Sequence, residues 1–322
     1  MKVLMTGATS FTGYWFVRAL ADDGHRVRCA LRRHVGEYVD QPRAERVRRL
    51  HECAEVIECA PFGDDRFLEC VADGPDVIAV HGAQVGEYRS PRFDVVEAVA
   101  SNTRNVRTVF ERMYAVGSKA VVLTGTVFEP NEGIGSDLGR AFSPYGVSKG
   151  MTWDIFRWHA RAVGVSLAKF VIPNPFGPLE ENRFCTYAYR SWHAGQPVVV
   201  KYPEYVRDNI HVGLLARAYA RYVAEVGSGK AVEHLGPSGY IETQGAFAQR
   251  LAREVGARLG LRCEVDVVPQ TRFDEPRVRV NPDHASTYIG GWNEVGEWDR
   301  VAQWAENPIK FASPSGFQGQ GG

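Results

Sequence analysis

The chain has 322 residues with 38 basic and 38 acidic side chains, so its formal net charge is zero. This balance gives no reason to expect a nucleic acid or an anionic membrane as a partner. The six cysteines are scattered without metal-ligand spacing, so we expect no metal site and a reducing, cytoplasmic compartment. We see no signal peptide and no apolar run of roughly 18 residues, and we therefore expect no membrane-spanning segment.

Short apolar strands alternate with helical segments through the first half of the chain. Strands are predicted at 3–5, 26–31, 54–57, 76–81, 119–124 and 167–172. Helices are predicted at 11–21, 44–51, 95–116 and 145–163. Strands separated by helices form parallel βαβ units with right-handed crossovers. The pattern predicts an α/β fold of the Rossmann type, with a doubly wound parallel sheet.

The texture of the sequence changes at Pro173, where prolines and glycines interrupt periodic structure. We predict that residues 1–172 form the Rossmann-type domain and that 207–235 return to it. A smaller substrate-binding lobe is predicted from 173–206 and 236–312. Residues 313–322, rich in glycine, glutamine and serine, are predicted to form a mobile tail.

The first strand runs into a glycine-rich turn at residues 6–13, which leads into the first helix. A tight turn at Gly7 delivers the chain to a helix N-terminus, whose N–H groups and dipole hold a pyrophosphate. Strand, turn and helix come in the required order, which favours a dinucleotide site over an ordinary βα turn. Ser10, between Gly7 and Gly13, stands where a glycine is usual. The residues predicted to hold the cofactor here are Gly7, Ser10, Phe11, Thr12 and Gly13.

The end of the second strand bears on which dinucleotide is bound. An acidic residue there accepts hydrogen bonds from the adenosine ribose and repels a 2′-phosphate. This chain has Arg32 and Arg33 instead, and two guanidinium groups suit a 2′-phosphate. A solvated basic loop is the competing interpretation. We therefore expect NADP rather than NAD.

Tyr145 and Lys149 open a predicted helix and, four residues apart, share one of its faces. A free tyrosine titrates near ~10, and a nearby ammonium together with a cationic nicotinamide lowers that pKa. Tyr145 can then exchange a proton with a sugar oxygen while hydride moves between carbon and nicotinamide. Lys149 can also hold the nicotinamide ribose. These two residues are predicted to be catalytic.

A third catalytic group is expected at the end of the fifth strand. Thr124 offers a hydroxyl that orients the substrate oxygen, and Thr126 is a substitute or a further substrate contact. Threonines also suit strands for packing reasons alone.

These residues together resemble the extended short-chain dehydrogenase/reductase family, in its nucleotide-sugar epimerase/dehydratase branch. The resemblance covers nearly the whole chain and rests on residues 6–13, 124–128, 145–149, 173–178 and 207–212. It implies that Asn174 and Arg207 contact the diphosphate of a sugar nucleotide, and that Asp64 binds the adenine amino group. It also implies cofactor contacts at His81, Gly82, Ala83 and Pro173. Arg277 or Arg279 is expected to add a phosphate contact.

One departure from the family pattern narrows the chemistry. Dehydratases of this branch follow the catalytic threonine with Asp-Glu, and decarboxylases keep a glutamate there. Here Gly125 and Thr126 occupy those positions and cannot transfer protons in that way. The chain therefore looks unlike a 4,6-dehydratase or a decarboxylase. Glu129 also stands where this branch usually has glycine, and the sequence offers no account of it.

Three hypotheses follow. The first is an NADPH-dependent reductase of a C4 keto-sugar nucleotide, favoured by the two arginines. The alternative is a nucleotide-sugar 4-epimerase with a retained NAD(P). A non-catalytic dinucleotide sensor is the third, and intact Thr124, Tyr145 and Lys149 argue against it. The resemblance also implies a homodimer formed through helices 95–116 and 145–163.

Overall fold

The computed structural model of the chain describes residues 1–82, 90 and 92–306. Its strands, in chain order, are β1 (Lys2–Thr6), β2 (Arg26–Ala30), β3 (Glu55–Ile57), β4 (Val77–Val80), β5 (Ala120–Thr126), β6 (Ile134–Gly135), β7 (Ser166–Ile172), β8 (Asn174–Phe176), β9 (Val198–Val200), β10 (Val206–His211), β11 (His234–Leu235), β12 (Pro237–Ser238), β13 (Tyr240–Thr243), β14 (Val265–Val267), β15 (Arg279–Val280) and β16 (Asp283–His284).

The helices are α1 (Phe11–Asp22), α2 (Arg43–Leu50), α3 (Asp65–Ala72), α4 (Val95–Thr103), α5 (Val106–Ala115), α6 (Pro144–Val163), α7 (Phe184–His193), α8 (Val212–Gly227), α9 (Gln244–Leu259), α10 (Ala285–Ile289) and α11 (Glu294–Ala305), with a 3₁₀ turn at Val35–Glu37. Among these helices of the described chain, none combines the length and apolar character needed to cross a membrane.

Seven strands form one sheet in the order β3-β2-β1-β4-β5-β7-β11, and all neighbouring pairs are parallel. The order reverses between β1 and β4, which opens a crevice at their carboxyl ends. Ligands bind at such a switch point in doubly wound sheets. The predicted Rossmann-type fold is confirmed.

The central strands are nearly continuous apolar runs because helices cover both faces of the sheet. On one face α1 packs against α8, where the rings of Phe16 and Tyr219 stack with centroids 4.0 Å apart. On the other face α5 packs against α6, where Phe110 meets Phe156 edge to face at 5.8 Å. Each face of the sheet therefore has its own apolar core.

The single helix predicted at 95–116 is wrong, because the chain breaks into α4 and α5 at Asn105. This residue adopts a left-handed conformation, with φ 50° and ψ 25°. Its side-chain amide donates to the carbonyl of Gly63 at 2.8 Å, and that bond compensates locally for leaving the helix. Helix α3, which begins two residues after Gly63, was not predicted.

A second group of elements lies beyond the main sheet. Strand β10 pairs with β8 and β13 in a separate three-stranded sheet, whereas β11 joins the main sheet beside β7. Phe176, Trp192, Phe247 and Trp298 belong to a separate apolar cluster there. The domain boundaries given above stay a prediction, and the predicted tail at 313–322 lies outside the described residues.

Candidate active site

A cleft of about 1550 Å³ opens at the carboxyl ends of β1, β4 and β5. Its walls include residues 6–12, 80–82, 124–126, 142–145 and 172–176, and we refer to it as the cleft. The sequence-predicted residues that line it are Gly7, Ser10, Phe11, Thr12, Arg32, Arg33, His81, Gly82, Thr124, Thr126, Tyr145, Lys149, Pro173, Asn174 and Arg207. Gly13 packs behind the turn, and Ala83 lies outside the described residues.

The glycine turn has the geometry that a phosphate-binding turn requires. Gly7 has φ +69°, and a Cβ there would lie 2.4 Å from the His81 carbonyl oxygen. Ser10, where a glycine is usual, has an ordinary φ of −73° and is the N-cap of α1. Its hydroxyl donates to the carbonyl of Gly7 at 2.9 Å and accepts from the N–H of Gly13 at 3.1 Å. The serine thus closes the turn without backbone strain.

The residues of this region fit a bound dinucleotide. The first N–H groups of α1 have no intrahelical partner and carry the positive end of the helix dipole, which favours a phosphate. Asn102 is 4% exposed at the end of α4 and lines the cleft, and its amide nitrogen has no hydrogen-bond partner among the described residues. A buried amide without a partner costs free energy unless a ligand completes it. When bound, a nicotinamide would accept and return hydride in this space.

Arg46 fastens the turn to the opposite wall of the cleft. Its side chain is fully buried on α2. The guanidinium donates to the carbonyls of Thr9 at 3.0 Å and Leu179 at 2.7 Å, and it forms an ion pair with Glu181. Arg46 therefore links the turn at Thr9 to the segment at Leu179, which is 133 residues from Arg46 in sequence.

Asp64 lies away from the cleft, in contrast to the adenine contact expected for it. It is the N-cap residue of α3 and forms a 3.4 Å ion pair with Arg104. Pro61 and Phe62 line the cleft at this point instead. Asp64 therefore lies at the start of a helix without a capping hydrogen bond from its side chain, and an apolar wall stands where the carboxylate was expected.

His81 joins two threonines at the floor of the cleft. Its Nδ1 lies 2.9 Å from Oγ1 of Thr124, and its Nε2 lies 3.0 Å from Oγ1 of Thr12. Burial lowers the pKa of His81 to about 3, and the Lys149 ammonium acts in the same direction. The imidazole is therefore neutral at pH 7, with one nitrogen donating and the other accepting. Both contacts are satisfied when Thr12 donates to His81 and His81 donates to Thr124, and equally in the other tautomer, in which both bonds run the opposite way.

Helix α6 presents Tyr145 and Lys149 to the same cleft. Ser143 is its N-cap and Pro144 its first residue, an arrangement that fixes where the helix begins. The Tyr145 ring meets Phe93 edge to face at 5.9 Å. Lys149 is 4% exposed, and a Cβ on Gly82 would lie 2.6 Å from its Nζ, so the ammonium packs against the end of β4. Burial lowers the pKa of Lys149 to about 8.

The two predicted diphosphate contacts differ in how they are held. Asn174 begins β8 at the wall of the cleft. Arg207 also lines the cleft but is 3% exposed, with its guanidinium paired to Glu275 at 2.9 Å and donating to the Pro276 carbonyl at 2.9 Å. Arg207 would have to exchange the Glu275 carboxylate for a ligand anion.

Arg279 does not line the cleft. It is fully buried, and its guanidinium donates to backbone carbonyls between residues 127 and 140, including that of Asp137. Its role in the fold is to shape this segment.

Sequence reasoning missed two asparagines of the cleft, Asn102 and Asn209. Asn209, on β10, is 5% exposed, lines the cleft, and has an amide nitrogen without a partner among the described residues. Asn102 shares the buried face of α4 with Ala98, and a polar residue on a helix face that is otherwise apolar was the available signal. Within the part of the chain that the structure describes, no cluster of three or more His, Cys, Asp or Glu residues is placed to hold a metal ion.

Several solved structures of similar fold are of sugar-nucleotide epimerases. UDP-glucose 4-epimerase of Thermus thermophilus, in complex with NAD, has 18% identity and a TM-score of 0.70, covering 96% of this chain and 100% of that one. UDP-glucose-4-epimerase of Stenotrophomonas maltophila, with NAD and formylated UDP-arabinopyranose, has 19% identity and a TM-score of 0.74. The match covers 97% of this chain and 100% of that one. UDP-N-acetylglucosamine 4-epimerase of Methanobrevibacter ruminantium, with UDP-N-acetylmuramic acid, has 17% identity and a TM-score of 0.73. The match covers 96% of this chain and 99% of that one. No curated protein sequence matches this chain significantly.

The prediction of NADP is wrong. The Thermus and Stenotrophomonas structures contain NAD. The argument from Arg32 and Arg33 failed because both side chains are exposed on the loop after β2. An exposed basic pair serves equally well as a solvated surface, so it does not identify a 2′-phosphate site.

The family assignment rests on the sequence match. The model of the NAD dependent epimerase/dehydratase family matches residues 3–235, more than half of the chain. The motifs at residues 6–13, 124–128, 145–149 and 173–178 lie inside the matched range. The chain belongs to the NAD dependent epimerase/dehydratase family.

Proposed function

We propose that this protein is an NAD-dependent nucleotide-sugar 4-epimerase. The observation that carries the proposal is the convergence of Thr124, Tyr145 and Lys149 on one cleft that also contains the glycine turn. A proton carrier, its ammonium partner and an orienting hydroxyl thus border the space where a dinucleotide fits. Those are the groups that reversible oxidation of a sugar carbinol requires.

Each of the three residues has a separate task in this proposal. Thr124 donates a hydrogen bond to the C4 oxygen of the sugar and orients it; its hydroxyl proton is free for this when His81, 2.9 Å away, is protonated on Nδ1. Tyr145 takes the proton of the C4 hydroxyl and later returns it. Lys149, one turn further along α6, stabilises the phenolate and holds the nicotinamide ribose. Asn174 and Arg207 hold the substrate diphosphate.

Two points favour epimerisation over the reduction that the arginines had suggested. The reductase hypothesis was based on the expected use of NADPH, and the prediction of NADP is wrong. Three of the similar solved structures are of enzymes named as 4-epimerases. Gly125 and Thr126 leave the end of β5 without the acid and base of a dehydratase, so exchange of one proton and one hydride is the chemistry that the residues support.

The test is to incubate purified protein with UDP-glucose or UDP-N-acetylglucosamine, without added dinucleotide, and to follow the C4 epimer by NMR. Mass spectrometry of the denatured protein would identify copurifying NAD. We expect epimer formation without net consumption of cofactor. No epimer from these sugars, together with stoichiometric oxidation of NADH or NADPH on a UDP-4-keto sugar, would overturn the proposal in favour of a reductase.

Tyr145→Phe is the matched control, since the aromatic ring and its Phe93 contact remain. General acid–base catalysis contributes ~10²–10⁴-fold, and turnover should fall by about that factor. Dinucleotide affinity should stay the same. Near-full turnover in this variant would remove Tyr145 from the mechanism.

A further inference from the structure

A buried group of charges lies behind the catalytic end of β5. The ammonium of Lys169 donates to the carboxylate of Glu129 at 2.6 Å and also binds Glu132. Lys169 is 2% exposed and Glu129 1% exposed. The second carboxylate oxygen of Glu129 accepts from the backbone N–H of Thr126 at 2.8 Å. Such a pair is costly to bury, so its position in the molecule calls for a reason.

The Lys169–Glu129 pair lies next to Gly125, the residue after Thr124 on β5. A Cβ on Gly125 would lie 2.6 Å from Cε of Lys169 and 2.9 Å from Oε1 of Glu129. The ion pair therefore fills the space where a side chain at position 125 would begin. Lys169 also lies 5.0 Å from the ring centroid of Trp153, which is one turn after Lys149 on α6. The pair thus lies between the end of β5 and the helix that carries Tyr145 and Lys149.

The charges of this region are balanced as a set. Lys149 and Lys169 are two buried ammonium groups, and Glu129 and Glu132 are two largely buried carboxylates. Lys149 reaches the same strand ends from α6: its Nζ lies 2.6 Å from a Cβ placed on Gly82, and the β4–β5 register pairs Val80 with Leu123, two residues before Gly82 and Gly125. Burial raises the pKa of the Glu129 carboxyl, and the charges of Lys169 and Lys149 oppose that rise. For Lys149, burial is the main influence that lowers its pKa; the Glu129 charge raises it, and the Lys169 charge lowers it. Removing the carboxylate would leave the repulsion between the two buried ammonium groups without a counter-charge from Glu129.

The geometry points to Glu129 as a positioning residue of the active site, whose carboxylate is the counter-ion that keeps Lys149 charged beside Tyr145. This inference rests on the proposed function, because the Lys149 charge matters there through the tyrosine. It also explains why Glu129 replaces the usual glycine and why position 125 is glycine. The carboxylate acts from behind the strand and does not contact substrate.

Other groups face this set from each packed element. From the end of β4, His81 is neutral, as described above. From β11, Nε2 of His234 lies 2.9 Å from Glu132 at the outer end of the set. From β15, Arg279 donates to the backbone carbonyl of Glu129 at 3.0 Å rather than to its carboxylate. From α6, Tyr145 lies one turn before Lys149, and in the proposed function the Lys149 charge stabilises its phenolate.

Three variants separate an electrostatic role from a structural one. Glu129→Gln removes a negative charge and should lower the titration midpoint of Lys149 by about one pH unit. Lys169→Met removes a positive charge and should raise it. The double variant restores the balance and should return the midpoint close to the wild-type value. If the pair were only structural, both single variants would break it alike, and opposite shifts would not occur.

The direct readout is the ¹³Cε chemical shift of labelled lysine, which follows the charge of the ammonium without any substrate. The chain has seven lysines, and the signal of Lys149 is identified by its loss in Lys149→Arg. Shifts in the same direction, or no shift in either variant, would overturn the inference. If Glu129→Gln does not fold, Lys169→Met decides alone, since an unchanged or lowered midpoint contradicts the charge balance.

The pH profile of turnover provides the second readout. The alkaline limb of the wild type should move to lower pH in Glu129→Gln and to higher pH in Lys169→Met. Because the pKa of Lys149 is about 8, a downward shift of about one pH unit should make turnover of Glu129→Gln about twofold lower at pH 7 and about tenfold lower above about pH 9. If no nucleotide sugar is turned over while the lysine shifts behave as expected, the proposed reaction fails and the counter-ion role stands. If turnover is normal in Glu129→Gln at every pH, the counter-ion role fails and the proposed reaction stands.

Discussion

Oγ1 of Thr124 lies 2.9 Å from Nδ1 of His81, whose other nitrogen is occupied by Thr12. Because the imidazole is neutral, one of its nitrogens donates and the other accepts, so the two threonines have opposite roles. In the tautomer with the proton on Nδ1, Thr124 accepts from His81, and its own proton has only a long 3.4 Å contact to the carbonyl of Val80. The hydroxyl proton can therefore point into the cleft, where a substrate oxygen would accept it.

Thr124→Val should lower turnover by about 10- to 100-fold, less than Tyr145→Phe, because it removes an orienting hydrogen bond and leaves the proton carrier in place. Valine has nearly the same shape, so the strand should remain intact. Thr124→Ser keeps the hydroxyl and should retain most of the activity. Steady-state kinetics on the sugar nucleotide make the comparison. Equal losses in the serine and valine variants would show that packing, rather than the hydroxyl, matters at this position.

Gly13→Ala should disrupt the glycine turn. The added Cβ would lie 2.1 Å from the carbonyl oxygen of Gly7 and 2.7 Å from Oγ of Ser10. Overpacking of this kind costs about 1–3 kcal/mol. We expect a lower free energy of unfolding in urea and weaker NAD binding by calorimetry. Gly139→Ala is the control, since no atom lies within 4 Å of its added Cβ. A fully stable, NAD-binding Gly13→Ala protein would contradict the turn geometry.

His211 should make the fold sensitive to mild acid. It caps α8 by accepting from the N–H of Gly213 at 3.0 Å, and burial lowers its pKa to about 3. In the unfolded chain the imidazole binds a proton near pH ~6.5, so the unfolded state holds more protons below that pH. The stabilisation is present above about pH 6.5 and is lost by about 1.4 kcal/mol per pH unit as the pH falls towards 3.

Urea unfolding at pH 7, 6 and 5 measures this dependence. His211→Gln should be less stable at pH 7 but should lose less stability on acidification than the wild type. His51→Gln changes an exposed side chain and should keep the wild-type slope. Parallel slopes for wild type and His211→Gln would reject the prediction.

The family resemblance implies a homodimer, and the structure suggests which residues would form it. Val96, Tyr114 and Trp158, on α4, α5 and α6, are 77%, 67% and 73% exposed. Large apolar side chains concentrated on neighbouring helices favour burial against a second copy. Trp158→Arg should shift the protein to a monomer by light scattering, whereas Val295→Asp, on α11, should not. A monomeric wild type at working concentration would refute the dimer.

The order of strands and helices could be predicted from the sequence because both faces of the sheet are covered. The resulting apolar runs, and the glycine turn between the first strand and helix, are local signals. The break at Asn105 was not local, since the left-handed residue is held by Gly63 from a different segment. A long helix was the natural interpretation of the periodicity without that contact.

The charges near the cleft were harder to interpret from the sequence than its hydroxyls. The role of Glu129 could not be inferred from the sequence, because its partner Lys169 is 40 residues away. Lys169 is brought near Glu129 by the β5–β7 register, which pairs it with Leu123. Arg32 and Arg33 were adjacent in sequence and therefore invited a joint function. Their exposure depends on the path of the loop after β2, which sequence patterning does not specify.

Arg46 bears on how long a ligand stays bound. The turn that would cover a pyrophosphate is fastened to the 179–181 segment by a guanidinium without solvent access. Opening the site there requires the loss of several charge-assisted bonds at once, so the residence time of a dinucleotide beneath it should be long compared with one catalytic cycle. Slow exchange would be a handicap for an enzyme that must reload its coenzyme after each turnover, and it is harmless to one that regenerates the coenzyme in place.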